Sequence, residues 1–240
     1  MPKQTGTPPN ATADWTLGRM AFQLEPAMES YVLSHSTGYG ASGTALVNET
    51  AALGDPAAMM LGKEQYALLR FLAGLLGCRR ALDIGTFTGL SALAFADGMG
   101  PQSKVVTIDR NRAWIDLARK HWDSAGAGGR IDAHVGEAID ILAQLAKAGE
   151  RFDIAFLDVD KARIQEYFDR TLELLAPRGL LMIDNALWHG WVLDQRRTDA
   201  DTRGMREFND RLIGDARFEV SLLPIADGLT LVRRRQTGQF

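Results

Sequence analysis

The sequence predicts an α/β fold: a doubly wound, mostly parallel sheet that ends in an antiparallel hairpin and is preceded by extra helices. Three observations predict it. From Arg80 onward, short β-rich runs alternate with stretches of helical period, the pattern of βαβ units with helices on both faces of a sheet. The last β-rich stretch contains two runs joined by a short turn, which is a hairpin and not a crossover. The chain has 240 residues, 46% of them hydrophobic, which suits a single core.

The elements follow in order. Residues 1–14 are rich in Thr, Pro and Asn and poor in large apolar groups, so they are expected to form a flexible arm. Residues 15–79 should supply a helical cover, with "MESYVLSH" and "GKEQYALLRFLAGLLG" as helices and "GYGASG" between them as a Gly-rich loop. The strands read "ALDIG" (81–85), "KVVTID" (104–109), "IDAHVG" (131–136), "FDIAFLD" (152–158) and "GLLMID" (179–184). Helical runs such as "RAWIDLARKHWDSA" and "ARIQEYFDRTLELLA" lie between them. "RFEVSLLPIADGLTLVRR" closes the chain as two strands around Pro224 and Asp227-Gly228. Residues 15–240 are therefore expected to form one Rossmann-like domain.

Composition narrows the function. A net charge of -3 argues against nucleic acid as a partner. The single cysteine, Cys78, allows no intrachain disulfide and fits a reducing compartment. The start has no apolar h-region, and no run of about 18 apolar residues occurs, so neither a secretory leader nor a membrane span is expected. The expected location is the cytoplasm.

"LDIGTFTGLSAL" puts Asp83 and Gly85 at the end of the first strand and Gly89 at the start of a helix. Ligands bind at this turn in doubly wound sheets. A dinucleotide site wants G-x-G-x-x-G, but the spacing here is G-x-x-x-G, and no Walker lysine follows. The ligand is expected to be nucleoside-like without a diphosphate, and S-adenosylmethionine fits. Asp109 ends the second strand, where an acid suits the two ribose hydroxyls; its other reading is a cap for the helix near Asn111. Glu137 and Ala138, after the third strand, either flank the adenine or simply start the next helix.

The fourth and fifth strands both finish in acid, at Asp158 and at Asp184-Asn185. Neighbouring strands lie roughly 4.8 Å apart, so side by side the two carboxylates would repel unless a cation or proton intervenes. With the Asn185 oxygen they make three hard donors, which favours Mg²⁺, Ca²⁺ or Mn²⁺ over zinc. The competing reading gives each Asp a helix to cap. Lys161 is either a solvated lysine or, at the mouth of a metal site, a group that deprotonates or orients a hydroxyl. Trp188 and Trp191 are candidate substrate walls or core residues. His35, His121 and His134 carry no spacing signal.

Taken in order, "LDIGTFTGLS", "FLDVDK", "IDNALWHGWV", "MREFNDRL" and "LLPIADGLTLVRR" resemble the cation-dependent class I O-methyltransferases, the family of catechol and caffeoyl-CoA O-methyltransferases. The resemblance covers about residues 59–235. It implies metal ligation by Asp158, Asp184 and Asn185, and catalysis by Lys161 together with Asp158. It implies cofactor contacts at Asp83, Gly85, Phe87, Ser91, Asp109, Ala138 and Asp158, with Glu137 beside them. It also implies Mg²⁺ and a homodimer. Leu90 stands where the family often has Tyr. Residues 1–62 hold only Lys3 and Arg19 as basic residues, few for gripping a coenzyme A tail.

The expected activity is metal-dependent methyl transfer from S-adenosylmethionine to a hydroxyl of a small catechol-like aromatic. The alternatives are a caffeoyl-CoA-type enzyme and an RNA hydroxyl methyltransferase, the latter kept open by Arg196-Arg197 and Arg233–Arg235. A nicotinamide oxidoreductase lacks its glycine motif. A non-catalytic adenosine-binding module would have no use for the acid endings or Lys161.

Overall fold

A computed structural model describes residues 25–235; the arm expected at 1–14 lies outside them. Three helices come first: α1 (Pro26–Ser34), α2 (Gly40–Ala51) and α3 (Lys63–Leu75). Strands and helices then alternate as β1 (Arg80–Ile84), α4 (Leu90–Gly98), β2 (Lys104–Asp109), α5 (Arg112–Ser124), β3 (Ile131–Val135), α6 (Ala138–Lys147), β4 (Phe152–Leu157), α7 (Ile164–Leu174) and β5 (Leu175–Ile183). The chain closes with α8 (Ala200–Gly214), β6 (Phe218–Leu223) and β7 (Leu229–Arg234). No helix among the described residues is long and apolar enough to cross a membrane.

The strand order is β3-β2-β1-β4-β5-β7-β6. The first five strands are parallel, and β7 runs antiparallel between β5 and β6. The chain winds outward from β1 to β3, then crosses back to β4 and winds the other way. The carboxyl ends of β1 and β4 therefore flank the switch point, where such sheets open a crevice for ligands.

Alternation along the strands divides the core. Leu82 and Ile84 face the side covered by α6, α7 and α8, packing with Ile141, Phe168 and Phe208. Ala81, Val105 and Phe156 face the side of α4 and α5, packing with Leu93, Phe95 and Trp122. Helix α4 is buried from Leu90 to Ala96, with no polar face left. Such a helix needs cover on its outer side as well, and Leu46 of α2 with Tyr66 and Leu69 of α3 supply it.

Two boundaries differ most from expectation. "GYGASG" is only in part a loop, because α2 starts at Gly40. Gly43, Leu46 and Thr50 are its buried positions, a helical stripe whose packing outweighs the poor helix propensity of glycine. Strand β5 begins at Leu175, not Gly179: Phe152 pairs with Leu175 and Ile154 with Leu180, so an irregular register absorbs the Pro177–Gly179 stretch.

Candidate active site

The predicted residues from all five parallel strands meet at one edge of the sheet. At β1 the chain leaves through Gly85 with φ of 97°, and a Cβ there would overlap the Asp158 carbonyl oxygen at the end of β4. Only glycine lets the two strand ends close up in this way. Phe87 follows with φ of 46°. Its N–H donates to Asp109 Oδ2 at 2.8 Å, and its ring meets Trp114 edge-on at 5.0 Å.

Asp109 also accepts from the Asn111 N–H at 2.8 Å. The helix cap itself is Asn111, whose side chain accepts from Ala113 N. Asp109 therefore braces the turn after β1 against the end of β2. Glu137 is exposed at the N-terminal boundary of α6, and Ala138 is its first residue. The Glu137 side chain makes no capping bond.

Asp83 and Ser91 sit beneath the turn, both buried. Asp83 Oδ2 accepts from Thr107 Oγ1 at 2.6 Å, while Oδ1 has no partner among the described residues. Burial raises the Asp83 carboxyl to about 7; the hydrogen bond from Thr107 opposes the rise, and the charges of Asp158 and Asp109 add to it.

The second half of the edge carries the acids. Leu157 pairs with Ile183, so Asp158 and Asp184 leave adjacent strands side by side. The Asp184 N–H donates to the Leu157 carbonyl at 3.0 Å. Neither Asp caps a helix: Lys161 Nζ lies 3.1 Å from Asp158 Oδ1, and Asp184 Oδ1 accepts from Asn185 N and from Gln65 Nε2, each at 2.8 Å. Burial pushes the Asp184 carboxyl up, and the Asp158 charge pushes it further, against the pull of Lys161. Asn185 has φ of 54°.

Lys161 is 1% exposed, not solvated. Helix α8 fixes its turn: Asp201 Oδ1 accepts from Ala162 N at 2.8 Å, and Gly204 packs so close that a Cβ would overlap the Lys161 carbonyl. The lysine Nζ stands 5.8 Å from the Trp188 ring centroid. Trp188, His189 and Trp191 form a cluster, with Trp188 perpendicular to Trp191 at 6.4 Å. Arg197 stacks on Trp191 at 3.7 Å. Trp188 and His189 both have positive φ, and Asp227 holds this bend by accepting from His189 N at 2.8 and 3.0 Å.

Sequence reasoning missed Gln65, Asp227 and the α8 buttress. Each acts across a long sequence distance, and the sequence marks Asp227 only as a turn residue.

The O-methyltransferase family profile matches residues 35–235. The chain belongs to the O-methyltransferase family. Over 174 residues it is 40% identical to catechol O-methyltransferase domain-containing protein 1 of Mus musculus, covering 72% of this chain and 66% of that protein, just under two thirds of its length. It is 35% identical over 188 residues to a caffeoyl-CoA O-methyltransferase of Eucalyptus gunnii, covering 74% of this chain and 75% of that one. Among solved structures, the O-methyltransferase TomG of Streptomyces achromogenes, crystallised with SAM, superposes with a TM-score of 0.81 at 30% identity. That match covers 88% of this chain and 96% of TomG. An O-methyltransferase of Bacillus cereus in complex with SAH gives 0.80 at 27% identity, covering 87% of this chain and 97% of that one. The expected fold and enzyme class therefore hold: this is an O-methyltransferase on a Rossmann-like sheet.

Whether a cation fits can be judged from the donors. Among the described residues, no three His, Cys, Asp or Glu side chains cluster as a metal site. The acid edge offers two carboxylates and an amide instead, a hard-oxygen set. Lys161 is the one cation in hydrogen-bond contact with the pair among the described residues, and Asp184 is 5% exposed. Two carboxylates against one ammonium leave a negative site that suits a divalent ion.

Proposed function

We propose that this O-methyltransferase moves the methyl group of S-adenosylmethionine to a hydroxyl of a small catechol-like aromatic, using a divalent cation held by Asp158, Asp184 and Asn185. The observation that carries this reading is the pairing of Asp158 with Asp184 on adjacent strand ends, with the buried Lys161 ammonium on one of them. The cation, Mg²⁺ first, supplies Lewis acidity that favours phenolate over phenol. The cofactor lies against the other half of the edge, at Gly85, Phe87, Asp109, Glu137 and Ala138, with Asp83 and Ser91 beneath. The Lys161 ammonium orients the reacting hydroxyl by donating to its oxygen. Trp188 and Trp191 wall the ring. The phenolate oxygen takes the methyl carbon, the carbon–sulfur bond breaks, and S-adenosylhomocysteine leaves with the proton released.

A CoA ester is the second reading, favoured by the caffeoyl-CoA O-methyltransferases among the relatives. The scarcity of basic residues before Lys63 places it below a free catechol. A homodimer fits the exposed apolar row Phe71 and Leu75 on α3 and Leu76 just after it.

The test compares specificity constants for a catechol, its mono-deoxy analogue and the matching CoA ester at saturating Mg²⁺. Chelation by two adjacent hydroxyls should favour the catechol over the lone phenol by about tenfold or more, about 1.4 kcal/mol. Equal constants for catechol and lone phenol refute chelation, and turnover of the CoA ester alone selects the second reading.

A further inference from the structure

Gln65 belongs to the helices that precede the sheet, yet it reaches the acid edge 119 residues further along the chain. It is 3% exposed. Its Oε1 accepts from Gly62 N at 3.1 Å, at the start of α3. That bond decides which way round the amide sits, because a backbone N–H needs the oxygen. The NH₂ end is left to face Asp184, and it donates to Oδ1 at 2.8 Å. Asn185 N donates to the same Oδ1, also at 2.8 Å. Two N–H donors thus share one oxygen, while Oδ2 has no hydrogen-bond partner among the described residues.

We propose that Gln65 is a positioning residue for the cation: with Asn185 N it occupies Asp184 Oδ1, so that the carboxylate is fixed in orientation and presents Oδ2 alone to the ion. This rests on the cation reading above. Side chains that orient metal ligands through hydrogen bonds commonly change metal affinity by 10–100-fold when removed. A single side chain on the cover therefore links the seating of α3 to the strength of the cation site, and the linkage runs both ways.

The experiment uses the full-length protein and Mn²⁺ as the probe, with affinity from calorimetry and from the Mn²⁺ resonance signal. Gln65→Met has similar length and no donor, and should weaken Mn²⁺ binding by about 10-fold or more. Gln65→Asn keeps an amide too short to serve both partners, should weaken binding in the same direction, and stands in if the first variant does not fold. Gly62→Pro deletes the bond at Oε1; Gly62 already has φ of -64°, which proline accepts, and the added Cβ meets only the flexible end of Glu64. It should lower Mn²⁺ affinity by less than about threefold, since the donor to Asp184 remains. S-adenosylhomocysteine affinity should stay within about twofold in all three, because that ligand binds at the other half of the edge. Unchanged Mn²⁺ affinity in the folded Gln65 variants overturns the proposal while leaving the cation reading standing. So does an equal loss in Gly62→Pro, which would make Gln65 a helix brace only. A wild-type protein that binds no Mn²⁺ overturns both.

Discussion

The two halves of the sheet edge are built by different means. Behind β1 and β2, the turn is held from the adjoining strand: Asp109 binds Phe87 N and Asn111 N, and Asp83 binds Thr107. Behind β4 and β5, the supports come from afar: Gln65 from α3, Asp201 and Gly204 from α8, Asp227 from the hairpin turn. The difference matches the charge each half must hold. The turn after β1, with half-buried Asp109 and buried Asp83, is held by two neighbouring strands. Two adjacent carboxylates and a buried ammonium are held only where several elements converge, because an unmatched buried charge costs several kcal/mol.

This contrast can be broken by swapping which half is damaged. The largest effect is expected from Asp158→Ala or Asp184→Ala. Loss of the cation's charge stabilisation should lower kcat by on the order of 10³, leaving S-adenosylhomocysteine affinity nearly unchanged by calorimetry. Asp109→Ala should do the reverse, weakening the cofactor and sparing the metal. If both substitutions damage both ligands equally, the halves are one unit and the comparison fails.

Lys161→Ala comes next. An amine that acts on the reacting hydroxyl should contribute about 10²-fold, falling on kcat more than on KM in steady-state kinetics. A loss confined to KM would make Lys161 a binding residue, and an unchanged rate would leave it as the partner of Asp158 alone.

How much of this was legible in the sequence follows the same division. The run "KVVTID" became β2 with both ends correct, because a buried parallel strand reads as an unbroken apolar run and its end is marked by polarity. The glycine turn, Asp109 and the paired acids were legible because strand ends in a wound sheet fall on one edge. The wiring was not. Gln65 sits in an ordinary amphipathic helix, and only folding brings it to Asp184. The "GYGASG" stretch misled for a related reason: its glycines signal a loop locally, while the helical stripe Gly43, Leu46 and Thr50 is buried in the cover.

A smaller effect sharpens the first half. The Asp83 carboxyl titrates near 7 in the folded chain, against an ordinary value of about 4 when unfolded. Between those values the folded state holds the extra proton, so stability falls as pH rises through that window and is unaffected below it. Asp83→Asn should remove its own share of this slope, leaving the share of Asp184, whose carboxyl burial also raises. In urea unfolding with chelator present, the variant should gain on the order of 1–3 kcal/mol relative to wild type between pH 4 and pH 8. Parallel pH profiles would show that Asp83 is not the group responsible.

The proposed work of the acid edge is to hold a divalent cation for methylation of a catechol oxygen. The most direct measurement is the initial rate of methyl transfer from S-adenosylmethionine to a catechol, first in excess chelator and then with Mg²⁺ restored. The expected result is loss of turnover in chelator and its return with Mg²⁺, with no return in Asp184→Ala. A full rate in excess chelator would contradict the account.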